Sequence, residues 1–332
     1  MEFGLARRGY FILASANPIK FGIAVLAPVL LCTCYTPKDN GIQGCITAAL
    51  EQPRLYNGVA TYSLGEGAME TAYANLRGKW RLASRKTYPA ASLTKPLVAH
   101  ATKLHLAATR KSLDTPVDLL FPENLTERSN SITLRHLLQH SSGLGLLDGR
   151  DPLWNTDSHG NAQINCRAAV DITLNNPTRF PPGLKTEYSN AGYCVLGEIL
   201  LYQKSGQINH ELRKVLLSGL GAAGGWRGTM QELHGGLKRT LPLSLLPPPQ
   251  ATLPDGSWYS FGWRFWPDRQ SGAPWTHTGR LPGFLAVALT DGEERLLVAH
   301  FDGDPADYLA SASRFGREAW RCLDGKLQAA SH

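Results

Sequence analysis

Ser92 and Lys95 are spaced so that one could activate the other for nucleophilic catalysis. On a helix that begins at Ser92, the two side chains would share a face one turn apart. A lysine amine within hydrogen-bond reach supplies the base that a serine nucleophile needs. The helix N-terminus would add free backbone N–H groups and a positive partial charge where an oxyanion forms. Taken alone the pair is a weak signal, because serine and lysine are common and a solvated helix start contains the same residues.

A second stretch, Tyr188-Ser189-Asn190, carries groups that could complete such a site. A phenol beside a lysine ammonium can ionise, take the proton of Ser92 and later return it to the leaving group. Asn190 can accept a hydrogen bond from Lys95 and donate one to a substrate amide oxygen. We therefore predict Ser92, Lys95 and Tyr188 as catalytic residues and Asn190 as a substrate-binding residue.

The third stretch, His277-Thr278-Gly279-Arg280, follows a strand-like segment. Thr278 offers a hydroxyl to a substrate carboxylate, and Gly279 would let a ligand approach the edge of the strand. The backbone N–H groups of Ser92 and Arg280 would form the oxyanion hole. The Arg280 side chain is a further candidate for binding the carboxylate, although an ordinary surface arginine fits at least as well. We predict that all four residues bind substrate.

Elements at both ends of the chain are expected to frame this site. Helical spacing or strand-like runs occur at 41–56, 59–64, 132–144, 167–175, 193–201, 258–266, 275–279, 284–289, 295–301 and 305–323. Their order predicts an α+β, two-layer fold, with an antiparallel sheet from residues 38–90 and 257–332 and a mostly helical subdomain at about 91–256. The serine-bearing helix would lie where the layers meet. Residues 221–225 lack the ending of a phosphate-binding loop and are expected to be merely flexible.

The six cysteines and two spaced histidines bear on disulfides and metals. The first and last helices should pack side by side on the sheet, so of the three connectivities open to the last four cysteines we predict Cys45–Cys322 with Cys166–Cys194. His136 and His140 are four apart, but Leu137 stands where a zinc protease helix has glutamate. We therefore predict that both histidines are structural, and we expect no metal and no cofactor.

Composition and the N-terminus limit the class of protein. The 332 residues are 43% hydrophobic and 18% charged with a formal net charge of +7, which is ordinary for a globular protein and favours anionic surroundings. The sequence has no dense Lys/Arg cluster, so nucleic acid is not expected as a partner. An uncharged run at 21–35 follows three basic residues. Residues 1–37 are predicted to be an export signal, with an N-terminal membrane anchor or a buried apolar segment as alternatives.

Five motifs together resemble the penicillin-recognising serine hydrolases, which include class C β-lactamases, D-Ala-D-Ala carboxypeptidases and their esterase and aminopeptidase relatives. The motifs are Ser92-Leu93-Thr94-Lys95-Pro96, Leu137-Leu138-Gln139-His140-Ser141-Ser142-Gly143-Leu144, Phe180-Pro181-Pro182-Gly183 before Tyr188-Ser189-Asn190, Tyr259-Ser260-Phe261-Gly262-Trp263 and His277-Thr278-Gly279. The resemblance implies a β-lactamase/transpeptidase-like fold and a single catalytic domain over 38–332. His277 stands where class C β-lactamases usually have lysine, which is more similar to the carboxypeptidase, aminopeptidase and esterase branches.

The expected function is a cell-envelope or periplasmic serine hydrolase that acts through a Ser92 acyl-enzyme on D-Ala-D-Ala-like peptides. Asn190 and Thr278 favour a peptide-like substrate with a terminal carboxylate, since both are polar groups that need partners when desolvated. Peptidoglycan and β-lactams are the other expected ligands. An esterase or a β-lactamase of the same family is the nearest alternative. A penicillin- or wall-binding protein with little turnover is an alternative of another class.

Overall fold

A seven-stranded antiparallel sheet forms one layer of the protein, in the strand order β2-β1-β11-β10-β9-β8-β7. The computed structural model describes residues 41–74, 85–120, 132–147, 149–156 and 162–325; residues 1–37, for which we predict an export signal or anchor, lie outside these ranges. The strands are β1 Tyr56–Leu64, β2 Glu70–Tyr73, β3 Tyr88–Pro89, β4 Trp154–Thr156, β5 Ala162–Ile164, β6 Arg227–Gly228, β7 Trp258–Ser260, β8 Trp263–Phe265, β9 Trp275–Leu281, β10 Phe284–Thr290 and β11 Arg295–Asp302. β3 pairs with β6 and β4 with β5 outside the main sheet.

Strand β10 is buried along its whole length because both faces of the sheet are covered. Leu285, Val287 and Leu289 pack into a core with the terminal helices. Ala286 and Ala288 point to the opposite face, into a core that contains Leu93 of the serine-bearing turn. This alternation is the period of two that a strand imposes, and it explains why β10 is apolar at every position but its last.

The helices from the middle of the chain enclose a second core. In chain order, all the α-helices of the described residues are α1 Ile42–Ala49, α2 Thr94–Thr109, α3 Leu134–Leu138, α4 Cys166–Leu174, α5 Asn190–Tyr202, α6 His210–Leu216, α7 Gly221–Gly224, α8 Met230–Lys238 and α9 Tyr308–Leu323, with 3₁₀-helices at Ala91–Leu93 and Val117–Leu119. Every strand of the main sheet comes from the two ends of the chain, and α2 to α7 come from between them. The domain boundaries proposed from the sequence stay a prediction.

Both predicted disulfides are present. Cys45 of α1 is bonded to Cys322 of α9, with 5.7 Å between their Cα atoms. Cys166 of α4 is bonded to Cys194 of α5, with 5.2 Å between their Cα atoms. The first bond joins the two terminal helices, as their expected packing on one face of the sheet required.

Three predicted elements differ from the structure. The strand predicted over 258–266 is a hairpin, because Phe261 and Gly262 adopt left-handed backbone angles with φ of 47° and 81°. A Cβ on Gly262 would lie 2.7 Å from the Pro96 nitrogen, so this turn packs directly on the start of α2. The helix predicted over 132–144 ends at Leu138, and His140 beyond it has φ of 54°. The helix predicted over 41–56 ends at Ala49.

Residues 221–225, which we expected to be flexible, are instead packed in the core. They form α7 and its C-cap, and residues 221–224 are buried. A Cβ on Gly224 would lie 3.3 Å from the carbonyl carbon of Ala91, so α7 sits against the turn that carries Ser92. Glycine and alanine are needed here because the two backbones approach closely.

Candidate active site

Ser92 lies on the 3₁₀-turn that leads into α2. The residue before it, Ala91, has a left-handed backbone with φ of 43°, a conformation that non-glycine residues rarely adopt and that concentrates at functional sites. Thr94 holds the turn from inside: its Oγ1 donates to the Ala91 carbonyl at 2.7 Å and accepts from the Trp226 N–H at 3.1 Å. The Ala90 N–H in turn donates to the Trp226 carbonyl at 2.9 Å. The serine is therefore fixed by contacts from a distant part of the chain.

The Ser92 hydroxyl is in contact with both predicted partners. Lys95 Nζ lies 3.0 Å from Ser92 Oγ. The Tyr188 hydroxyl donates to Ser92 Oγ at 2.7 Å. Two groups, one from the same turn of the chain and one from a distant segment, thus meet at the Ser92 oxygen.

Lys95 is completely buried and makes three hydrogen bonds. Besides Ser92 Oγ, its Nζ reaches Asn190 Oδ1 at 2.7 Å and the Ala223 carbonyl of α7 at 2.5 Å. Burial lowers the pKa of Lys95 from 10.5 to about 7, against the opposing charge of Asp151. Much of the lysine is therefore a neutral amine at neutral pH, the form that can accept the Ser92 proton.

Asn190 connects Lys95 to a carboxylate that the sequence did not indicate. Its Nδ2 donates to Asp151 Oδ2 at 2.6 Å, while its Oδ1 faces Lys95. These bonds fix the orientation of the amide. The Ser189 hydroxyl accepts from the Gly192 N–H at 2.8 Å and caps the first turn of α5, which places Asn190. Asp151 lies in a loop whose sequence has no periodicity, so nothing in the sequence marked it.

Tyr188 is buried among aromatic side chains, and this changes the ionisation that we predicted for its phenol. Burial and the neighbouring Tyr259 raise the pKa of Tyr188 well above its usual value, and the hydrogen bond to Ser92 offsets this only in part. The structure therefore favours the neutral phenol as a proton donor. It does not favour the phenolate base that the sequence suggested.

His140 contacts three consecutive residues of the segment that carries Tyr188. Its carbonyl accepts from the Glu187 N–H at 2.8 Å, and its Nδ1 accepts from the Ser189 N–H at 3.0 Å. Between them, its ring stacks on Tyr188 with centroids 4.3 Å apart. His140, which we had predicted to be purely structural, is therefore next to the reacting groups. His136 instead completes the capping box of α3 with Thr133. Within the described ranges, no three His, Cys, Asp or Glu side chains are grouped as a metal site requires.

Strand β9 places the third predicted stretch beside this group. The His277 ring lies 6.3 Å from that of Tyr188, and its Nδ1 is 2.9 Å from the Thr278 carbonyl. Burial, with the charge of Lys95, lowers the pKa of His277 to about 3. The histidine is neutral at physiological pH. β8 pairs with β9 at residues 275 and 276 only, so in the described sheet residues 278–281 have no strand partner on that edge.

Two residues of β9 have contacts that differ from those predicted. A Cβ on Gly279 would lie 2.2 Å from the Ala90 carbonyl oxygen. Gly279 is therefore needed because the serine turn lies against this face of the strand. The predicted approach of a ligand to the edge of the strand stays a prediction. The Arg280 guanidinium pairs with Asp304 at 2.7 Å and is 39% exposed, so its side chain is not free to bind a carboxylate without competition.

A cleft of about 600 Å³ opens beside Ser92. Its lining includes the predicted residues Ser92, Tyr188, Asn190, Thr278 and Arg280. It also includes Arg264 of β8, which was not among the predicted residues because it lies within a strand-like run.

Arg264 is held rigidly at the wall of this cleft. Its Nε donates to Ser257 Oγ at 2.7 Å, its Nη2 donates to Asp255, and its guanidinium lies over the Trp266 ring at 4.1 Å. The side chain is only 14% exposed. Nη1 makes no hydrogen bond to any residue in the described part of the chain. A preorganised guanidinium with a free N–H group is well suited to bind a carboxylate.

The fold and this site define a serine hydrolase of the β-lactamase type, and comparison with known proteins agrees. A family model described as Beta-lactamase matches residues 48–223, which is more than half of the sequence. The chain therefore belongs to the Beta-lactamase family, as the five motifs indicated.

Two proteins of similar sequence are described with different functions, one as a fimbrial assembly protein and one as an esterase. The probable fimbrial assembly protein FimD of Dichelobacter nodosus is 32% identical over 155 residues, which cover 44% of this chain and 37% of that protein. Esterase EstB of Burkholderia gladioli is 35% identical over 120 residues, or 33% of this chain and 30% of that protein. The matched region thus spans about a third of these relatives.

Solved structures show the same fold over most of the chain. D-amino acid amidase from Ochrobactrum anthropi SV3 superposes with a TM-score of 0.65 at 17% identity, covering 86% of this chain and 99% of that one. The β-lactamase/D-alanine carboxypeptidase from Pseudomonas syringae gives a TM-score of 0.61 at 14% identity, covering 87% and 99%. The predicted α+β, β-lactamase/transpeptidase-like fold is therefore confirmed.

Proposed function

We propose that the protein is a D,D-carboxypeptidase-type serine hydrolase that cleaves D-Ala-D-Ala-like peptides through an acyl-enzyme on Ser92. The observation that carries the proposal is the hydrogen-bonded group of Lys95, Ser92 and Tyr188 at the wall of a cleft. Nucleophile, base and proton donor are then already within the distances that acyl transfer requires.

In the first half of the reaction, the neutral amine of Lys95 takes the Ser92 proton as Oγ forms a bond to the substrate carbonyl carbon. The tetrahedral intermediate carries a negative oxygen, and the backbone N–H groups of Ser92 and Arg280 are the proposed donors to it. The C–N bond then breaks. The leaving nitrogen takes a proton from the Tyr188 hydroxyl, and the Lys95 ammonium supplies the proton that restores the phenol.

In the second half, water attacks the Ser92 ester. Lys95, again neutral, accepts a proton from the water, and Ser92 Oγ leaves with a proton from Tyr188. The Lys95 ammonium then returns a proton to the Tyr188 oxygen, so that both groups end in their starting forms. In both halves the lysine accepts the proton of the attacking hydroxyl group and the tyrosine donates a proton to the leaving group. This requires a lysine pKa near the working pH, which burial provides here.

The substrate's terminal carboxylate is proposed to bind between Arg264 and Thr278. Both residues line the cleft with Ser92, and Arg264 Nη1 has no hydrogen-bond partner in the described residues. Asp255 already pairs with Arg264, which orients the guanidinium and limits its attraction for anions. In this proposal the cation that binds the carboxylate is Arg264, not Arg280.

Labelling with a fluorescent penicillin, followed by intact-mass measurement, tests the nucleophile. We expect one adduct on the wild-type protein and none on Ser92→Ala. Failure of the folded wild type to form an adduct would favour the alternative of a wall-binding protein without turnover.

The substrate class is tested by comparing turnover of a D-Ala-D-Ala peptide, a nitrophenyl ester and a cephalosporin. We expect kcat/KM to be highest for the peptide. Preference for the ester would favour an esterase, an alternative that the similarity to EstB supports. Preference for the cephalosporin would favour a β-lactamase.

We also propose that the protein is exported to the cell envelope or periplasm, where peptidoglycan would be its substrate. The two disulfides support this, because such bonds persist mainly in oxidising compartments. In the described part of the chain, no helix has the length and apolar character needed to span a bilayer. Fractionation of cells that express the full chain, with N-terminal sequencing of the product, tests both location and processing.

A further inference from the structure

A second cavity continues from the active-site cleft. It has a volume of about 360 Å³ and lies between strands β8 to β10 and helix α9. The cleft and this inner cavity share five lining residues, namely Asp255, Tyr259, Arg264, Thr278 and Leu309. A ligand that reaches these residues from the Ser92 side can therefore extend into the inner cavity.

The lining of the inner cavity combines apolar and hydroxyl-bearing side chains. Val287 and Leu289 of β10, with Ala312 of α9, provide an apolar floor. Ser271 and Ser313 provide hydroxyl groups. A side chain with an aliphatic stem and a polar, uncharged end matches this lining, because the stem can contact the floor while the end keeps hydrogen bonds.

Charge at the junction favours an uncharged end. At the junction between the cleft and the inner cavity, Arg264 is paired with Asp255. The rest of the cavity lining has one more residue of each sign, Asp307 and Arg317. The Asp307 side chain caps α9 by accepting from the Ala310 N–H, and Arg317 donates to the Gln270 carbonyl. Neither sign of charge is in excess, so the inner cavity has no evident counter-ion to offer a charged side chain.

We propose that the inner cavity binds the side chain of the leaving D-amino acid, and that the enzyme prefers a leaving residue longer than alanine with a polar, uncharged end, such as D-glutamine. This rests on the proposed function, in which Arg264 and Thr278 hold the leaving residue's carboxylate. The carboxylate and the side chain branch from the same Cα, so a carboxylate at the junction places the side chain at the mouth of the inner cavity.

Kinetics with three peptides that differ only in the leaving residue test this proposal. The residues are D-alanine, D-norvaline and D-glutamine. We expect kcat/KM to be about tenfold higher for D-glutamine than for D-alanine, with D-norvaline between them, since occupying a fitted pocket is worth about 10- to 200-fold. Equal values for the three peptides would overturn the proposal.

A variant that fills the inner cavity locates the effect. Ser313→Phe should reduce the D-glutamine to D-alanine ratio from about ten to about one, because the ring occupies the space of the longer side chain. Arg314→Phe is the matched control, since it adds the same ring at an exposed neighbouring position of α9. A ratio that is unchanged in Ser313→Phe would place the preference elsewhere and overturn the proposal.

A binding measurement separates this proposal from the proposed function. Free D-glutamine should slow labelling of wild-type Ser92 by fluorescent penicillin at about tenfold lower concentration than D-alanine does. This readout needs neither peptide turnover nor a folded variant. If the peptides are not hydrolysed, the carboxypeptidase function fails; if the two amino acids protect equally, the inner-cavity proposal fails.

Discussion

Lys95 shows how burial alone can prepare a base. Its three acceptors are a hydroxyl, an amide oxygen and a backbone carbonyl, all uncharged. Asp151, the carboxylate whose charge opposes this effect, is hydrogen-bonded to Asn190. Without a directly bonded counter-ion, desolvation dominates and lowers the pKa of the ammonium.

The pH dependence of catalysis should therefore report Lys95. Because the neutral amine is the active form and the lysine pKa is about 7, kcat/KM should rise about tenfold per pH unit below pH 7 and level off above it. His277, whose pKa is lowered to about 3, adds no step between pH 5 and 8, and burial lowers the pKa of His140 as well. The measurement is kcat/KM for an uncharged ester from pH 5 to 9. A rise that continues to pH 9 without levelling off would assign the base to a lysine with an ordinary pKa or to Tyr188.

Arg264 and Arg280 both line the cleft but differ in their surroundings. Arg264 is buried, stacked and bonded on two sides, whereas Arg280 is exposed and pairs with Asp304. A buried, oriented guanidinium contributes more to binding than an exposed one, which pays for ordering and is screened by solvent.

Arg264→Gln should therefore raise KM for peptides with a free terminal carboxylate by about 10- to 100-fold, the value of one or two hydrogen bonds to a charged group. Turnover of the matching peptide amide, which has no carboxylate, should change much less. The comparison of acid and amide substrates corrects for any distortion of the site. Arg280→Gln is the control variant, and an equal loss in both variants would contradict the assignment.

At the scale of elements, the short loop after α3 holds the segment that carries Tyr188. His140 bonds the backbone on either side of Tyr188 and stacks on its ring. It can do so because its own backbone is left-handed, which turns the chain back after Leu138. The same segment continues into the cap of α5, so His140 also fixes the start of the helix that carries Asn190.

His140→Phe keeps an aromatic ring but removes the acceptor for the Ser189 N–H. We expect kcat to fall by about 10- to 100-fold with little change in KM, since a small misplacement of an acid/base group is costly. His105→Phe is the control, because His105 is buried far from Ser92 and bonds Ser205. If His140→Phe is destabilised as much as His105→Phe but keeps the wild-type kcat while it is folded, His140 has no positioning role.

At the scale of the molecule, the sheet depends on bringing the two ends of the chain together. β1 pairs with β11, and the Cys45–Cys322 bond joins the helices outside these strands across a sequence separation of 277. Cys166–Cys194 closes a much shorter loop, with a sequence separation of 28 residues. Loop-closure entropy therefore gives the first bond the larger share of the stabilisation.

Replacing Cys45 and Cys322 by serine should lower the free energy of unfolding by about 3–5 kcal/mol, and the pair Cys166 and Cys194 by about 2–4 kcal/mol. Urea unfolding of the two double variants and the wild type, all under the same non-reducing conditions, measures both. A larger loss from the second pair would indicate that strain or packing outweighs loop closure.

The sequence alone determined the parts of the site that depend on local spacing. Ser92 and Lys95 are neighbours on one turn, so their contact follows from helix geometry. The motif around Tyr188 and the threonine of β9 were recognisable from residue type and order. The paired terminal helices and both disulfides followed from the order of the elements.

Only the tertiary structure decided the groups that tune this site. Asp151 and His140 lie in loops, Ala223 in the short helix α7 and Arg264 in a short strand, where no periodic pattern reveals what they contact. The pKa of Lys95 and that of Tyr188 depend on how completely neighbouring elements exclude water, a property of the packed molecule. Spacing along the chain fixes which groups can meet within a turn, but long-range packing sets their dielectric surroundings, and these decide which group acts as the base.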